Sequence, residues 1–300
     1  MKTILVTGGT VFVSRYVASY FVARGDRVYV LNWGTRPQPE GVTPLLADRH
    51  ALGGLLRSMT FDAVLDMTAY QADDVSLLLD ALDDFRTYVL LSSSAVYPET
   101  APQPFQEETS LGPNRFWGAY GLGKIEAEQA LLGRVPNAYI LRPPYLYGPM
   151  NNLYREAFVF DCALQNRPFF LPQDGQMGLQ FFYIEDLCRF LDVLLDTRPA
   201  QTVFNLGHPQ SLSVADWVRL CYAAVGKVPT FVSVDEAVEQ RSYFCFRPYA
   251  YRLDVAKQQA LLPSLTPMAE GLDASLAWYL AHPDSVNRKP YLDFIDRCLL

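Results

Sequence analysis

Residues 2–25 read KTILVTGGTVFVSRYVASYFVARG, and this stretch decides the fold class. Its first six residues are mostly apolar and β-branched, as in a buried strand, whereas residues 12–24 repeat apolar positions at helical spacing. A glycine pair separates the two, where a strand-to-helix turn can bring backbone amides and a helix N-terminus to a phosphate. An ordinary tight turn and a dinucleotide phosphate loop both fit this pattern. The candidate contacts of such a loop are Gly8, Gly9, Thr10, Phe12 and Val13.

The same alternation continues through the first half of the chain. Further strands are predicted over 27–31, 62–67, 87–92 and 138–142, and further helices over 71–84 and 115–132. Strands that are apolar throughout and alternate with helices form a parallel sheet covered on both faces. The prediction is therefore an α/β fold with a doubly wound parallel sheet, whose ligands bind beyond the carboxyl ends of the strands.

After Pro149 the regular alternation of strands and helices changes. The pattern predicts a helix over 152–167, a strand over 179–183, a helix from Ile184, a strand over 202–206 and a capped helix from Ser213 to Gly226. No Gly/Ser linker separates the halves. We expect residues 1–150 to form a dinucleotide-binding domain, with return elements near 179–206. Residues 151–300 are then mainly a small, interleaved substrate-binding lobe.

Composition excludes several classes of protein. Half of the 300 residues are hydrophobic, which is enough to bury a large core, and the net charge of −7 makes nucleic acid an unlikely partner. No run of about 18 apolar residues predicts a membrane span. The five cysteines are far apart and the three histidines are isolated, so we expect reduced thiols, no metal site and a cytoplasmic protein.

Two further motifs point to chemistry. Tyr120 and Lys124, in YGLGK, share one face of a helix, and a cation near a phenol lowers its pKa toward the range useful for proton transfer. Three serines, 92–94, end the preceding strand. Taken singly, these are ordinary exposed helix residues and ordinary turn residues. In this chain order, after a glycine-rich turn, they predict a catalytic site.

These motifs resemble those of the extended short-chain dehydrogenase/reductases, which include NAD-dependent epimerases and dehydratases. The matching segments, in the family's order, are TGGT (7–10), SSSAVY (92–97), YGLGK (120–124), LRPPYLYGP (141–149) and FYIEDL (182–187). The resemblance covers nearly the whole chain and implies a Rossmann-like fold. It also implies a catalytic triad in which Ser93 polarises the substrate oxygen and Tyr120 is the general acid/base. Lys124 would bind the nicotinamide ribose and tune Tyr120.

The phosphate loop departs from the family pattern TGGTGFIG. Val11 and Ser14 stand where the second and third motif glycines are expected. Serine is small enough for close helix-strand packing. Valine at a site that requires positive φ would cost about 1–3 kcal/mol. The sequence therefore predicts a weakened dinucleotide affinity or a rearranged loop.

The residues expected around the adenosine half of the cofactor leave NAD and NADP open. Asn32 replaces the acidic residue that binds the ribose 2′-hydroxyl in NAD enzymes of the family, and Arg36 is near enough in sequence to reach a 2′-phosphate. This slightly favours NADP. The alternative is that Asn32 caps a turn and Arg36 is solvated. Asp48 resembles the family's adenine-contacting aspartate.

Substrate residues are less well marked. Ser94 and Ala95 replace the Asp-Glu pair of the family's sugar-nucleotide 4,6-dehydratases, and Tyr145 replaces the asparagine that often holds a nucleotide sugar. Both changes disfavour those substrates. Ser94, Trp117, Tyr145 and Arg247 are the candidate substrate contacts. The competing interpretation is packing for the aromatic residues and an exposed loop position for Arg247.

Two functions follow from these observations. The first is an NAD(P)-dependent oxidoreductase or epimerase acting on a secondary alcohol or carbonyl of a small molecule. The alternative is a non-catalytic nucleotide- or RNA-binding protein on the same fold, since RPPYLYGP, QFFYIEDL and FNLG also resemble atypical relatives that include chloroplast RNA-binding proteins. The family resemblance further implies a homodimer that pairs helices 71–84 and 115–132.

Overall fold

The computed structural model describes all 300 residues, and the chain folds into two compact units. Unit 1 consists of Met1–Pro144, Ile184–Gly207 and Leu253–Ser264. Unit 2 consists of Tyr145–Tyr183, His208–Arg252 and Leu265–Leu300. The first stretch of unit 1 thus ends at Pro144 rather than near residue 150, and two later segments return to it.

Fifteen strands are numbered in chain order. They are β1 (Thr3–Thr7), β2 (Arg27–Asn32), β3 (Thr43–Leu46), β4 (Thr60–Phe61), β5 (Ala63–Asp66), β6 (Asp84–Phe85), β7 (Tyr88–Leu91), β8 (Tyr139–Arg142), β9 (Tyr145–Tyr147), β10 (Phe169–Pro172), β11 (Gly178–Leu179), β12 (Phe181–Tyr183), β13 (Val203–Asn205), β14 (Leu212–Ser213) and β15 (Phe231–Val234).

Nine α-helices connect them. They are α1 (Phe12–Ala23), α2 (Ala72–Ala81), α3 (Ala119–Arg134), α4 (Glu156–Leu164), α5 (Ile184–Thr197), α6 (Val214–Ala224), α7 (Ala256–Leu261), α8 (Met268–Ala281) and α9 (Tyr291–Cys298). None of them is both long enough and apolar enough to cross a membrane.

Seven strands of unit 1 form one sheet in the order β13-β8-β7-β5-β1-β2-β3. Every neighbouring pair is parallel, which confirms the predicted doubly wound sheet. Leu5, Val64 and Leu90 belong to one core cluster with residues of α2 and α3. Val6 and Leu65, the next residues in their strands, point to the opposite face and are equally inaccessible. Both faces of the sheet are therefore covered.

Strand β3 was not predicted from the sequence. It forms the edge of the sheet beside β2, and three of its four residues are exposed. Pro44 lies within it, at a position that only an edge strand tolerates. An exposed strand with a proline lacks both the apolar run and the alternation by which strands are predicted.

Unit 2 contains short strand pairs and helices. Strand β9 pairs in parallel with β12, β10 pairs in parallel with β15, and β11 pairs with β14 in antiparallel orientation. The predicted strand 179–183 is therefore not a return element of the main sheet, because its second half pairs with Tyr145–Tyr147. The predicted cap at Ser213 is confirmed, since its Oγ accepts a hydrogen bond from the Asp216 backbone N–H at 3.0 Å.

Candidate active site

Three serines follow β7, and each has different surroundings. Ser92 is buried and donates a hydrogen bond to the carboxylate of Glu128. Ser94 is also buried. Ser93 is half-buried, and its Oγ accepts a hydrogen bond from the backbone N–H of Ala95 at 3.2 Å. The Ser93 hydroxyl proton stays available for a substrate oxygen, as its predicted role requires.

Two glycines of YGLGK allow α3 to pack closely against two loops at the carboxyl edge of the sheet. A Cβ atom on Gly121 would lie 2.5 Å from the carbonyl oxygen of Ala95. A Cβ atom on Gly123 would lie 2.3 Å from the carbonyl oxygen of Tyr70. Only glycine fits at either position. The start of α3 therefore lies directly on the segment that follows Ser93.

Lys124 is buried beneath this contact. Its Nζ donates hydrogen bonds to the carbonyl oxygens of Ala69 at 2.7 Å and Leu91 at 2.8 Å. Burial lowers the pKa of Lys124 to about 8, although the carboxylates of Asp66 and Glu128 act in the opposite direction. The ammonium has three N–H donors, so one remains for a ligand or for a neighbouring hydroxyl.

Tyr120 is the second residue of α3, and its side chain is 41% exposed. The Nζ atom of Lys124 lies 6.0 Å from the centroid of its ring. A second phenol, Tyr70, lies nearby: the two tyrosine rings are 6.3 Å apart, and Nζ is 4.9 Å from the Tyr70 ring. Sequence analysis did not single out Tyr70, because 49 positions separate it from YGLGK and no motif includes it.

The phosphate loop corrects one prediction. Gly8 and Gly9 have positive φ, 85° and 76°, as a tight strand-to-helix turn requires. Val11 is extended, with φ −135°, so it carries none of the predicted strain. The strained residue is Phe12, with φ 34°, which costs about 1–3 kcal/mol for a bulky side chain. The backbone strain of the loop therefore lies at Phe12 and not at Val11.

The beginning of α1 is suited to an anion. No side chain caps the helix, and no acidic residue lies in its first turn. Its first N–H groups therefore lack the side-chain acceptors that usually satisfy them. The Ser14 hydroxyl donates to the carbonyl oxygen of Val11 at 3.0 Å and holds the turn closed. These features fit the pyrophosphate of a dinucleotide.

Asn32 ends β2 beside this loop. Its Nδ2 donates to the carbonyl oxygen of Gly8 at 2.8 Å and to Oε1 of Gln38 at 2.9 Å. Its Oδ1 accepts a hydrogen bond from the Gly34 N–H at 2.9 Å. The carboxamide is thus fixed in place by neutral groups. Arg36 is exposed, four residues further along the same loop.

Asp48 lies after β3, and one of its carboxylate oxygens accepts a hydrogen bond from the backbone N–H of His50 at 2.9 Å. The adjacent Arg49, which sequence analysis missed, is ion-paired with the fully buried Asp66 at 3.0 Å. Burial alone would raise the pKa of Asp66, but Arg49, together with hydrogen bonds from Tyr88 and Thr7, outweighs burial and lowers that pKa. This pair fixes the carboxyl end of β5 beside the turn at Gly8.

A buried polar network supports the serine segment from behind. The guanidinium of Arg142 donates to both carboxylate oxygens of Glu128, at 3.0 and 2.6 Å, and to the Tyr97 hydroxyl at 2.8 Å. Burial opposes the charge of Arg142, yet Glu128 and Tyr97 together outweigh burial and raise the pKa of the guanidinium. Ser92 completes the network through Glu128. These residues therefore hold the end of β7 rigidly.

The predicted substrate residues divide between the two units. In unit 1, Trp117 is half-buried and lies beside Gly121 at the start of α3. In unit 2, Tyr145 is buried, and its ring is 4.6 Å from that of Phe246. Arg247 is exposed. Because the Tyr145 ring packs among aromatic residues of unit 2, its burial is explained without a ligand. Its role in substrate binding stays a prediction.

Residues 76–207 match the model of the NAD dependent epimerase/dehydratase family. The matched region contains Ser93, Tyr120 and Lys124.

Curated relatives include both a binding protein and enzymes. The chain is 28% identical over 244 residues to the chloroplast stem-loop binding protein of 41 kDa b of Arabidopsis thaliana. The aligned region covers 75% of this chain and 64% of that protein. It is 26% identical over 280 residues to 2′-dehydrokanamycin reductase of Streptomyces kanamyceticus, covering 88% of this chain and 79% of the reductase. The chain thus spans slightly less than two thirds of the stem-loop binding protein.

Solved structures share the fold over most of the chain. The UDP-glucuronic acid 4-epimerase of Bacillus cereus, in complex with UDP-glucuronic acid and NAD, has a TM-score of 0.73 at 20% identity and covers 93% of this chain and 99% of its own. The dTDP-glucose 4,6-dehydratase of Bacillus anthracis, in complex with NAD, has a TM-score of 0.76 at 17% identity, with 95% and 99% covered. At these identities the likeness establishes the Rossmann-like fold.

Proposed function

We propose that this chain, whose residues 76–207 match the model of the NAD dependent epimerase/dehydratase family, is a nicotinamide-dependent oxidoreductase or epimerase. Its substrate is a small molecule with a secondary alcohol or a carbonyl group. One observation carries the proposal: the glycines of α3 bring Tyr120 and the buried Lys124 onto the segment that follows Ser93, at the carboxyl edge of a parallel sheet. Ligands of such sheets bind at that edge.

Each residue has one task in the proposed reaction. Tyr120 takes or gives the proton of the substrate hydroxyl, because its phenol is exposed next to a cation. Ser93 donates a hydrogen bond to the same substrate oxygen. Lys124 has one N–H left after binding two carbonyl oxygens, and its positive charge favours the phenolate form of Tyr120. Charge on the oxygen is thus stabilised from two sides.

The cofactor is a nicotinamide dinucleotide, which accepts or supplies a hydride when bound. The uncapped start of α1 and the two positive-φ glycines would hold its pyrophosphate. At the end of β2, Asn32 offers no carboxylate to repel a 2′-phosphate, and Arg36 is exposed nearby. We therefore expect NADP to bind more tightly than NAD.

The non-catalytic alternative is not favoured. A protein that binds RNA through its phosphates needs a basic surface, whereas this chain has a net charge of −7. A pure binding role also gives no reason to bury the ammonium of Lys124 beside two tyrosine rings.

Calorimetric titration with NAD, NADH, NADP and NADPH tests the cofactor. We expect one redox pair to bind with micromolar affinity, and Arg36→Ala to weaken NADPH binding at least tenfold while it leaves NADH unchanged. Arg27→Ala is the matched control, since Arg27 is also exposed but begins β2 at its opposite end. If folded protein binds none of the four at millimolar concentration, the proposal fails.

Turnover tests the catalytic residues. A panel of secondary alcohols, ketones and nucleotide sugars, followed by nicotinamide absorbance, identifies a substrate. We expect Tyr120→Phe to lower kcat by about 100-fold or more, because it removes the group that transfers the proton. Tyr70→Phe removes a hydroxyl from the neighbouring ring and should keep most of the activity. Equal losses in both variants would argue against Tyr120 as the acid/base.

Helices α2 and α3 are also the proposed dimer contact. They pack side by side, and each exposes an apolar side chain: Leu77 is 37% exposed and Leu122 is 43% exposed. Sedimentation equilibrium should show a dimer, and Leu77→Asp combined with Leu122→Asp should give a folded monomer. A monomeric wild-type protein at 100 μM or more would contradict this assignment.

A further inference from the structure

A cavity of about 540 Å³ opens at the amino-terminal edge of the main sheet. It lies wholly in unit 1, among the segments that precede β7, β8 and β13. Because these strands are parallel, their amino ends share one edge, whereas Ser93 lies beyond the carboxyl end of β7. At about 3.3 Å per residue, Thr87 in the cavity wall and Ser93 are about 20 Å apart. The cavity is thus separate from the candidate active site.

Three exposed arginines line this cavity: Arg86, Arg134 and Arg198. Arg134 is already engaged, since it donates to Oδ1 of Asp80 at 2.7 Å and to the carbonyl oxygen of Ser76 at 3.1 Å. The guanidinium groups of Arg86 and Arg198 form no ion pair or hydrogen bond with the protein. Two guanidinium groups without a close ion-pair partner therefore line one cavity of an otherwise acidic chain.

The acidic residue closest in sequence to Arg198 is near enough for Arg198 to lower its pKa, but its ion pair is with another residue. Asp196 forms an ion pair with Lys2 at 2.7 Å. Arg198 itself has φ 46° and follows the last residue of α5, where its N–H donates to the carbonyl oxygen of Leu194 at 3.0 Å. That left-handed position favours glycine, and an arginine there costs about 1 kcal/mol. The turn itself therefore does not favour an arginine at this position.

We propose that this cavity binds a small oligophosphate, an anion with two or more phosphate groups. Guanidinium groups present forked N–H donors that match phosphate oxygens, and two of them suit two phosphates better than a single carboxylate. Asn137 and Thr202 add neutral polar groups to the wall. The volume lies in the range of about 300–1,000 Å³ that small-molecule sites occupy.

Inorganic pyrophosphate is the probe, titrated calorimetrically into the full chain at low salt. We expect one site, and at least tenfold weaker binding in the double variant Arg86→Gln/Arg198→Gln. Arg27→Gln is the matched control, because Arg27 is exposed at the same edge of the sheet but begins β2, three strands away from β7. It should bind as the wild type does. The double variant Arg86→Lys/Arg198→Lys keeps both charges and should recover part of the affinity.

The phosphate loop at Gly8 is the competing site for the same probe, so the titration is repeated with saturating NADPH. Pyrophosphate that still binds in the presence of NADPH, and that is lost only in the Arg86/Arg198 variant, supports the proposal. Complete displacement by NADPH, unchanged binding in the variant, or no binding at 10 mM would overturn it. Thermal unfolding of each variant shows that a lost affinity is not a lost fold.

Discussion

Lys124 makes the stability of this protein depend on pH in a direction that can be calculated. Burial lowers its pKa from 10.5 to about 8 in the folded chain. The unfolded chain restores the ordinary value, so between pH 8 and 10.5 the unfolded state binds a proton that the folded state has released. The free energy of unfolding therefore gains a contribution that rises with pH across this window. Below pH 8 both states are protonated and the contribution is constant.

The magnitude follows from the size of the shift. A lysine whose pKa is lowered by about 2.5 units contributes a slope of about 1.4 kcal/mol per pH unit, or about 3 kcal/mol across the window. Lys124→Met removes the titration but keeps an apolar side chain of similar length. We expect the difference in unfolding free energy, wild type minus variant, to grow by about this amount from pH 8 to 10.5.

Urea unfolding of both proteins at half-unit steps from pH 7 to 10.5 measures this difference. The contributions of the cysteines, the tyrosines and the other lysines to the pH dependence cancel in this difference, because both proteins contain them. Lys289→Met, at an exposed lysine, controls for the loss of a lysine charge. A difference that stays flat, or that falls with pH, would refute the reasoning, and with it the assignment of Lys124 as a buried ammonium. Loss of the two hydrogen bonds to Ala69 and Leu91 shifts the whole curve but not its slope.

Three further predictions concern stability, each measured by urea or thermal unfolding. Arg142→Met leaves the Glu128 carboxylate buried without its cation and should lower the free energy of unfolding by about 3–5 kcal/mol. Adding Glu128→Leu to this variant should restore more than 1 kcal/mol. No recovery would contradict the pairing. Gly121→Ala places a Cβ against the Ala95 carbonyl and should lower the free energy of unfolding by about 1–3 kcal/mol. Gly133→Ala, in open space on the same helix, should raise it by about 0.5–1 kcal/mol. Equal effects of the two substitutions would exclude the clash. Ser213→Ala removes the cap of α6 and should cost about 1 kcal/mol, and a neutral result would show that the cap contributes nothing.

The sequence was most informative where local patterns determine structure. Apolar strand runs and helical spacing predicted six strands of the main sheet to within two residues at each end, because burial on both faces leaves an unbroken hydrophobic signal. It was least informative at the phosphate loop. The motif identified Val11 as the residue that departs from the family pattern, but a motif does not determine backbone φ, which depends on how the whole turn closes. In the structure the residue with strained, positive φ is Phe12 rather than Val11.

Long-range pairs could not be predicted in the same way. The ion pair of Arg49 with Asp66 and the approach of Tyr70 to Lys124 join segments that carry no shared motif. The arginine cavity likewise combines three segments, near residues 86, 134 and 198, that only the parallel order of β7, β8 and β13 brings to one edge. Such juxtapositions are properties of the topology, so a single sequence gives no local signal for them.

The glycines of YGLGK connect the fold to the proposed chemistry. With side chains at these positions, α3 would stand away from the Ala95 and Tyr70 carbonyls, and Lys124 could not reach the carbonyl oxygens of Ala69 and Leu91. Those two hydrogen bonds partly compensate for burying the ammonium. The fold therefore keeps a charge in a position that lowers its own stability below pH 8, and the proposed proton transfer by Tyr120 would require a cation in that position.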